Sequence, residues 1–222
     1  MRLPYGLNTL LYTGKRATEA TDGQGTSMTK GRLEAFSDGV IAILITIMVL
    51  ELKVPHAADW NALRPLLPVF LTYVLSFVFL GIYWNNHHHL FHAADRINGR
   101  ILWANLHLLF WLSLIPFTMG WVGENHTAAL PTAIYGVVLF MAGLAFRIIV
   151  SSIIAEQGAH SKLAAAVGRD VKGWASLALY AVAIPMAFVH QWISDGLYVM
   201  VALMWLVPDT RIEGTLGHAS QR

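Results

Sequence analysis

The chain has 222 residues, of which 56% are hydrophobic and 13% are charged, with a net charge of +2 and no cysteine. Soluble domains carry about 25% charged residues, so this composition predicts a membrane protein. The small net charge gives no indication of nucleic-acid binding. The absence of cysteine excludes disulfides, thiolate catalysis and thiolate metal sites.

The N-terminal segment carries basic side chains but no apolar run long enough for the core of a signal peptide. It is rich in glycine and threonine. We therefore predict a disordered cytoplasmic tail over residues 1–30, a membrane domain over 31–208 and a second cytoplasmic tail over 209–222.

Six hydrophobic segments predict six membrane-spanning helices in an all-α protein. Four of them approach the ~20 apolar residues that cross a bilayer, whereas the first and the last have 12 uncharged residues each. Pro185 predicts a kink in the fifth. The segments cover residues 39–50, 65–84, 101–123, 128–146, 173–189 and 196–207.

The basic residues support an even number of spans. If both termini are cytoplasmic, all 15 lysines and arginines except Lys53 and Arg64 fall on the cytoplasmic side. Cytoplasmic loops of membrane proteins carry such an excess of positive charge. An odd number of spans would destroy this pattern. The sequence shows no internal duplication, which predicts a single six-helix unit.

The first hydrophobic segment is preceded by three polar side chains, Arg32, Ser37 and Asp38. An ionised carboxylate inside the membrane costs about 2.5–3.5 kcal/mol, and such groups usually face a bundle interior or a water path. This arrangement therefore requires a partner or a function for Asp38.

An aliphatic stripe follows Asp38 on the same helix. At about 100° per residue, Ile43, Thr46, Ile47 and Leu50 share one face, and Asp38 lies about 140° away from Ile43. On its own, such a stripe is most simply interpreted as ordinary helix packing.

Three blocks of sequence resemble the TMEM175 family of potassium channels. The first, Arg32 with Phe36-Ser37-Asp38, resembles the R-x-x-x-F-S-D signature that opens the first helix of that family. The others are similar to its W-x-x-H-x-x-L-F and N-L…L-P-F patterns, and consist of Trp84, His87, Leu90 and Phe91, then Asn105, Leu106, Ile115, Pro116 and Phe117. Together they cover about residues 30–120.

The resemblance implies a bacterial, single-repeat member that acts as a homotetramer in the inner membrane of a prokaryote. In this family the first helices of the subunits line the pore. The matching positions imply a hydrophobic constriction at Ile43, Ile47 and Leu50, with Thr46 near the filter. No T-V-G-Y-G segment occurs, so a carbonyl-lined filter is excluded and modest selectivity for potassium over other monovalent cations is expected. No enzyme activity, cofactor or metal is implied.

The polar residues of the motifs are expected to anchor helix one rather than to contact the ion. Ser37 and Asp38 point away from the stripe, and candidate partners are Arg32, Trp84, His87 and Asn105. Glu51 is a candidate acidic group at the external mouth.

A histidine cluster, His87, His88, His89 and His92, leaves three interpretations open. The side chains can form hydrogen bonds at the cytoplasmic membrane face, sense pH, or hold one metal ion through the pair His88 and His92, which are four residues apart. No H-E-x-x-H zinc motif is present.

Other function classes predict different features. A proton-coupled secondary transporter would use Asp38 and the histidines as a relay and would show inverted repeats, which are not found. A membrane metalloenzyme would need more histidine ligands. A non-conducting scaffold would share the fold alone.

Overall fold

The structure is a computed structural model that describes residues 30–158, 161–167 and 170–206. Residues 1–29, Val207 and the predicted tail 209–222 lie outside these ranges. The described ranges contain helices and no strand. The α-helices are α1 (Lys30–Met48), α2 (Leu67–His92), α3 (Gly99–Ser113), α4 (Ile115–Glu124), α5 (Ala129–Gln157), α6 (Lys162–Val167), α7 (Val171–Met186) and α8 (Gln191–Leu206), and 3-10 turns cover Val49–Glu51, Trp60–Ala62 and Arg64–Leu66.

Four helical segments of the described ranges are long and apolar enough to cross a bilayer: Lys30–Glu51, Trp60–His92, Gly99–Glu124 and Ala129–Gln157. The prediction of an all-helical, multi-pass membrane protein is thereby confirmed. Helix α7 has 16 residues, about 24 Å at 1.5 Å per residue, which is less than the ~30 Å hydrocarbon core, and α8 is described only as far as Leu206. Six spans therefore stay a prediction.

The first span is longer than its 12 uncharged residues indicated. Helix α1 begins at Lys30, so the motif residues 32–38 belong to the helix itself. Charged residues lower the hydropathy of a segment without ending its helix, so the helix is longer than its uncharged run.

The third predicted segment is not one continuous helix. It divides into α3 and α4 at Leu114, directly before Ile115 and Pro116. Proline has no N–H and its ring hinders the preceding turn. Pro185 similarly lies next to the end of α7, where a kink was predicted. At that end the Ser194 hydroxyl of α8 donates to the Ala183 carbonyl at 2.6 Å.

Side-chain caps determine where two of the helices begin. The side chain of Asn98 accepts a hydrogen bond from the Ile101 N–H at 3.0 Å, and that of Asp170 accepts one from the Gly173 N–H at 3.0 Å. Such caps satisfy N–H groups that a helix start leaves without partners.

Helix α5 lies at the centre of the subunit and packs against α3, α4, α7 and α8. Helix α1 lies to one side, where it packs against α2, α3 and α4. The core is aliphatic and aromatic, with Met48, Phe79, Leu112, Met119 and Leu139 almost fully buried. Among the described residues, no helix packs against the remaining face of α1.

Two glycines permit close approach between helices. A Cβ added to Gly136 of α5 would lie 2.1 Å from the Tyr198 hydroxyl of α8, and one added to Gly123 of α4 would lie 2.7 Å from the backbone Cα of Val69. Small residues commonly allow such contacts between membrane helices. Tyr198 uses its position to donate to the Thr132 carbonyl at 3.0 Å.

Gly136→Ala is therefore expected to destabilise the subunit by about 1–3 kcal/mol, the usual cost of overpacking. Gly81→Ala in α2 is the matched control, because no atom lies within 4 Å of its added Cβ. Alanine there should be neutral or stabilising by about 0.5–1 kcal/mol. The temperature at which each variant loses its monodisperse peak in detergent measures the difference. Equal midpoints for the two variants would contradict the close approach of α5 and α8.

Candidate functional site

Helix α1 has one buried and one open face. The buried side chains recur every three to four residues, as one face of a helix requires, and comprise Leu33, Ser37, Ile41, Leu44 and Met48. They point toward α2, α3 and α4, the helices against which α1 packs.

The open face carries the aliphatic stripe found in the sequence. Ile43 and Ile47 of α1 are 57% and 42% exposed. Leu50, predicted on the same helix, lies instead in the 3-10 turn Val49–Glu51 directly after α1, where it is 77% exposed. Thr46 is also exposed, and its hydroxyl donates to the Ile43 carbonyl at 2.9 Å. The hydroxyl hydrogen is thus used within the helix. The oxygen keeps its lone pairs, with which it can accept a hydrogen bond or coordinate an ion on the open face.

On the opposite face of α1, a chain of hydrogen bonds joins three helices. The Asn105 amide of α3 donates to the Ser37 hydroxyl of α1 at 2.9 Å. The Asn105 carbonyl oxygen lies 2.8 Å from Nε2 of His87 on α2. Ser37 and Asn105 are fully buried and His87 is 1% exposed. These three side chains, which we call the buried triad, fix α1 to α2 and α3.

The direction of the bonds assigns a tautomer to His87. Because the Asn105 oxygen can only accept, His87 Nε2 must carry the proton. In the neutral ring, Nδ1 is then an unprotonated acceptor. It is buried and finds no hydrogen-bond partner among the described residues. Its ring packs against Phe91, with centroids 4.5 Å apart.

A second polar contact joins α1 to α2 beside the buried triad. The Trp84 indole N–H donates to the Asp38 carboxylate at 3.1 Å. Asp38 is half-buried, whereas Arg32 and Phe36 are exposed. No hydrogen bond or ion pair joins Arg32 to another residue of the described ranges. The polar motif residues thus form hydrogen bonds where α1 packs against α2 and α3, with the exception of Arg32.

The far end of α1 is attached to α4. The Glu51 carboxylate lies so close to Gly120 that an added Cβ would be 2.6 Å from its Oε2. Just beyond it, Lys53 forms an ion pair with Glu124 at 2.5 Å. The hydrogen bond that the Lys53 ammonium donates to Glu124, together with the negative charge of Glu124, raises the pKa of the exposed Lys53 ammonium. Nothing in the sequence pattern indicated this pairing.

The sequence also missed a polar group on the other side of the subunit. Arg147 forms an ion pair with Asp170 and stacks over the Trp174 ring, with 4.1 Å between its guanidinium carbon and the ring centroid. The pair borders a cavity of about 70 Å³ that Asn86 and Ser176 also line. The available signal was Arg147 itself, a single charge inside an apolar run.

Comparison with known proteins decides the family. A sequence model described as the endosomal/lysosomal potassium channel TMEM175 matches residues 32–116. A protein of Chryseobacterium sp. (strain P1-3) named a potassium channel is 54% identical over 189 residues, 85% of this chain and 98% of the relative. The chain belongs to the TMEM175 family. The resemblance carried by the three sequence blocks is confirmed, and the family is described as channels rather than enzymes.

Solved structures agree with this assignment of the TMEM175 family. The crystal structure of a lysosomal potassium-selective channel TMEM175 homolog from Chamaesiphon minutus superposes with a TM-score of 0.72 at 27% identity, covering 80% of this chain and 96% of that one.

A zebrafish (Danio rerio) relative named an endosomal/lysosomal proton channel is 26% identical over 131 residues, which is only 24% of its length. The animal relative is therefore much longer than this chain.

The buried triad leads to a prediction on stability. Asn105→Leu leaves Ser37 and His87 buried without their partners, and each unsatisfied group costs about 1–3 kcal/mol. Asn85→Leu on α2 is the matched control, because Asn85 is exposed and forms no hydrogen bond with the described residues. Thermal unfolding of the detergent-solubilised protein should show a large loss for Asn105→Leu and a small change for Asn85→Leu. Similar losses in both variants would contradict a structural role of the triad.

Proposed function

We propose that this protein is a potassium channel in which four subunits surround a central pore lined by the open face of α1. The chain would cross the inner membrane of a prokaryote six times, with both termini cytoplasmic. The observation that carries the proposal is the open face itself, where an aliphatic stripe with one hydroxyl is exposed on a helix whose other face is fixed by buried polar bonds. The relatives named potassium channels support the ion.

The open face of α1 differs from a lipid-facing surface. Exposed apolar side chains on α2, such as Leu71 and Phe77, need only lipid as a neighbour. The face of α1 includes Thr46, and its helix carries polar groups at the opposite face that resist rotation. A helix with a fixed rotational register suits a pore, because every subunit then presents the same side chains to the axis. A closed ring of identical subunits repeats that arrangement by symmetry.

The stripe would form the constriction and the gate. Four copies of Ile43, followed by Ile47 and Leu50 about one and two turns further along, would make a narrow aliphatic tube. Such a tube loses its water at small radius and then blocks ions. Opening it requires only a small tilt of α1, because a modest increase in radius allows water to return.

Selectivity would come from oxygen atoms at the constriction. The aliphatic rings carry no charge with which to exclude anions and no carbonyl cage with which to bind potassium strongly. The Thr46 oxygens, whose hydrogens are used within the helix, are the available acceptors on the open face. Glu51 contributes less directly, because its carboxylate packs against Gly120 of α4. Modest selectivity for potassium over sodium follows.

Two alternatives remain distinguishable by one experiment. A proton-coupled secondary transporter turns over without unitary currents, and a non-conducting scaffold gives no flux. Single-channel recording after purification and reconstitution separates both from a channel, since discrete unitary currents exclude a carrier. Reversal potentials in mixed potassium and sodium solutions then give the selectivity.

The proposal predicts a tetramer, because one subunit exposes a single face of α1 and cannot enclose a pore. Mass measurement in detergent or native lipid should give four copies of the chain. A stable monomer that retains its fold would contradict the channel.

Two substitutions on the open face should separate conductance from selectivity. Ile43→Asn should raise the basal current by wetting the aliphatic ring. Thr46→Val keeps the shape of the side chain but removes its oxygen, so it should reduce selectivity more than conductance. Currents and reversal potentials of the reconstituted variants measure both effects.

The matched control is Leu71→Ala, which changes an exposed aliphatic side chain of α2 at 58% exposure, close to the 57% of Ile43. It should leave permeation unchanged. If Leu71→Ala behaves like Ile43→Asn, or if neither α1 variant alters permeation, α1 does not line the pathway.

A further inference from the structure

The structure divides the histidine cluster of α2 into two parts. His87 is buried and belongs to the triad, whereas His88, His89 and His92 are exposed. No hydrogen bond occupies the ring nitrogens of these three side chains within the described residues. The channel function proposed above uses His87 and leaves the exposed histidines unexplained.

His88 and His92 form a ring pair on one face of α2. They are four residues apart, their ring centroids lie 6.3 Å from each other, and the ring planes differ by 23°. Residues at this spacing are neighbours on a helix surface. Two imidazoles four residues apart on one face of a helix can bind a single metal ion, each through one nitrogen at about 2.0–2.1 Å. His89 meets His88 edge-on, with ring centroids 5.7 Å apart, and lies about 100° round the helix from it.

We propose that His88 and His92 chelate one divalent transition-metal ion, such as Zn²⁺ or Ni²⁺, and that its binding reduces potassium conductance. Imidazole nitrogen suits these ions, whereas Mg²⁺ and Ca²⁺ prefer oxygen. No group of three or more His, Asp or Glu side chains in the described ranges can hold a metal, so water completes the coordination. Two protein ligands with open positions make a site of moderate affinity, which suits a reversible regulator rather than a structural metal.

The site is one aromatic ring away from α1. The Trp84 ring stacks on His88, with centroids 6.3 Å apart and planes 23° apart. The indole N–H of the same tryptophan donates to Asp38 of α1. Trp84, His88 and His92 thus form a ladder of three rings along α2. A metal that fixes His88 and His92 stiffens this ladder and hence the contact through which α2 holds α1. This effect on conductance rests on the proposed channel function.

Of the charged groups near the ladder, one opposes the binding of a metal cation and another favours it. The Lys30 ammonium donates to the His92 carbonyl at 3.0 Å, where it leaves the ring free but opposes a further cation. The Asp38 carboxylate, which accepts the Trp84 hydrogen bond at the end of the ladder, attracts a cation.

Calorimetric titration tests binding independently of transport. The full chain is purified without a polyhistidine tag and titrated in detergent with Ni²⁺ and with Zn²⁺. Removing one of two ligands by His88→Gln or His92→Gln should weaken binding at least about tenfold. His89→Gln is the matched control and should stay within about twofold of the wild type. Three results would overturn the site: an equal loss of affinity in His89→Gln, unchanged affinity in a double variant that combines His88→Gln with His92→Gln, or binding of Mg²⁺ as tight as that of Ni²⁺ and Zn²⁺.

Potassium flux into vesicles, with Ni²⁺ applied to the side of the His88–His92 pair, tests the regulation. Inhibition of the wild type and of His89→Gln is expected at concentrations that fill the site, with a matching loss of inhibition in His88→Gln and His92→Gln. If the metal binds at the pair but flux is unchanged, or if the double variant is inhibited as strongly as the wild type, the regulatory part is wrong. Failure of the chain to conduct potassium at all overturns the regulation and the proposed function, and leaves the calorimetric result on the site standing.

Discussion

The hydrogen-bonded chain from Ser37 through Asn105 to His87 is the constraint on which the arrangement of α1 depends. All three side chains are buried, and each bond uses a group that lipid could not satisfy. Turning α1 by one residue, about 100°, would break the Ser37 contact and leave buried polar groups without partners, at about 1–3 kcal/mol each. An apolar interface alone would tolerate several rotations, because aliphatic packing is not directional. The buried triad therefore selects which face of α1 remains open.

The two ends of α1 are held with different strength. At the motif end the bonds are buried or half-buried, and they run to two helices through Ser37 and Asp38. At the far end the Lys53–Glu124 pair is exposed, and exposed ion pairs contribute little to stability because water screens them. The contact between Glu51 and Gly120 adds packing without a buried hydrogen bond. Motion of α1 should then be a tilt about the motif end, which displaces Leu50 more than Ile43. In the proposed channel, such a tilt would widen the ring at Ile43 less than the rings at Ile47 and Leu50, so Ile43 would remain the narrowest point.

The sequence predicted the helical class and the membrane location because each is a local or periodic property. Helical periodicity also identified the stripe, but on its own it favoured ordinary packing, and only the family resemblance implied that this face is open. The structure leaves Ile43, Thr46 and Ile47 of α1 exposed, together with Leu50 in the 3-10 turn that follows. The partners of the motif could be proposed only through the family resemblance. Ser37 and Asn105 are 68 residues apart, and no local pattern specifies which helices meet. The break before Pro116 was missed because hydropathy averages over a proline without registering its lost N–H.

The histidine cluster shows that, even within one helical turn, a local sequence pattern does not specify which side chains contact another helix. The letters His-His-His are identical in sequence, yet the structure buries His87 in a hydrogen-bonded chain and exposes His88 and His89. Successive helical residues point about 100° apart, so three adjacent histidines necessarily meet different surroundings once one side of α2 is covered. Which of them is covered depends on the position of Asn105, a residue of another helix. Neither a structural role nor a metal-binding role can therefore apply to all the histidines of the cluster. His87 is committed to holding α1, and only its exposed neighbours retain nitrogen atoms that a ligand can reach.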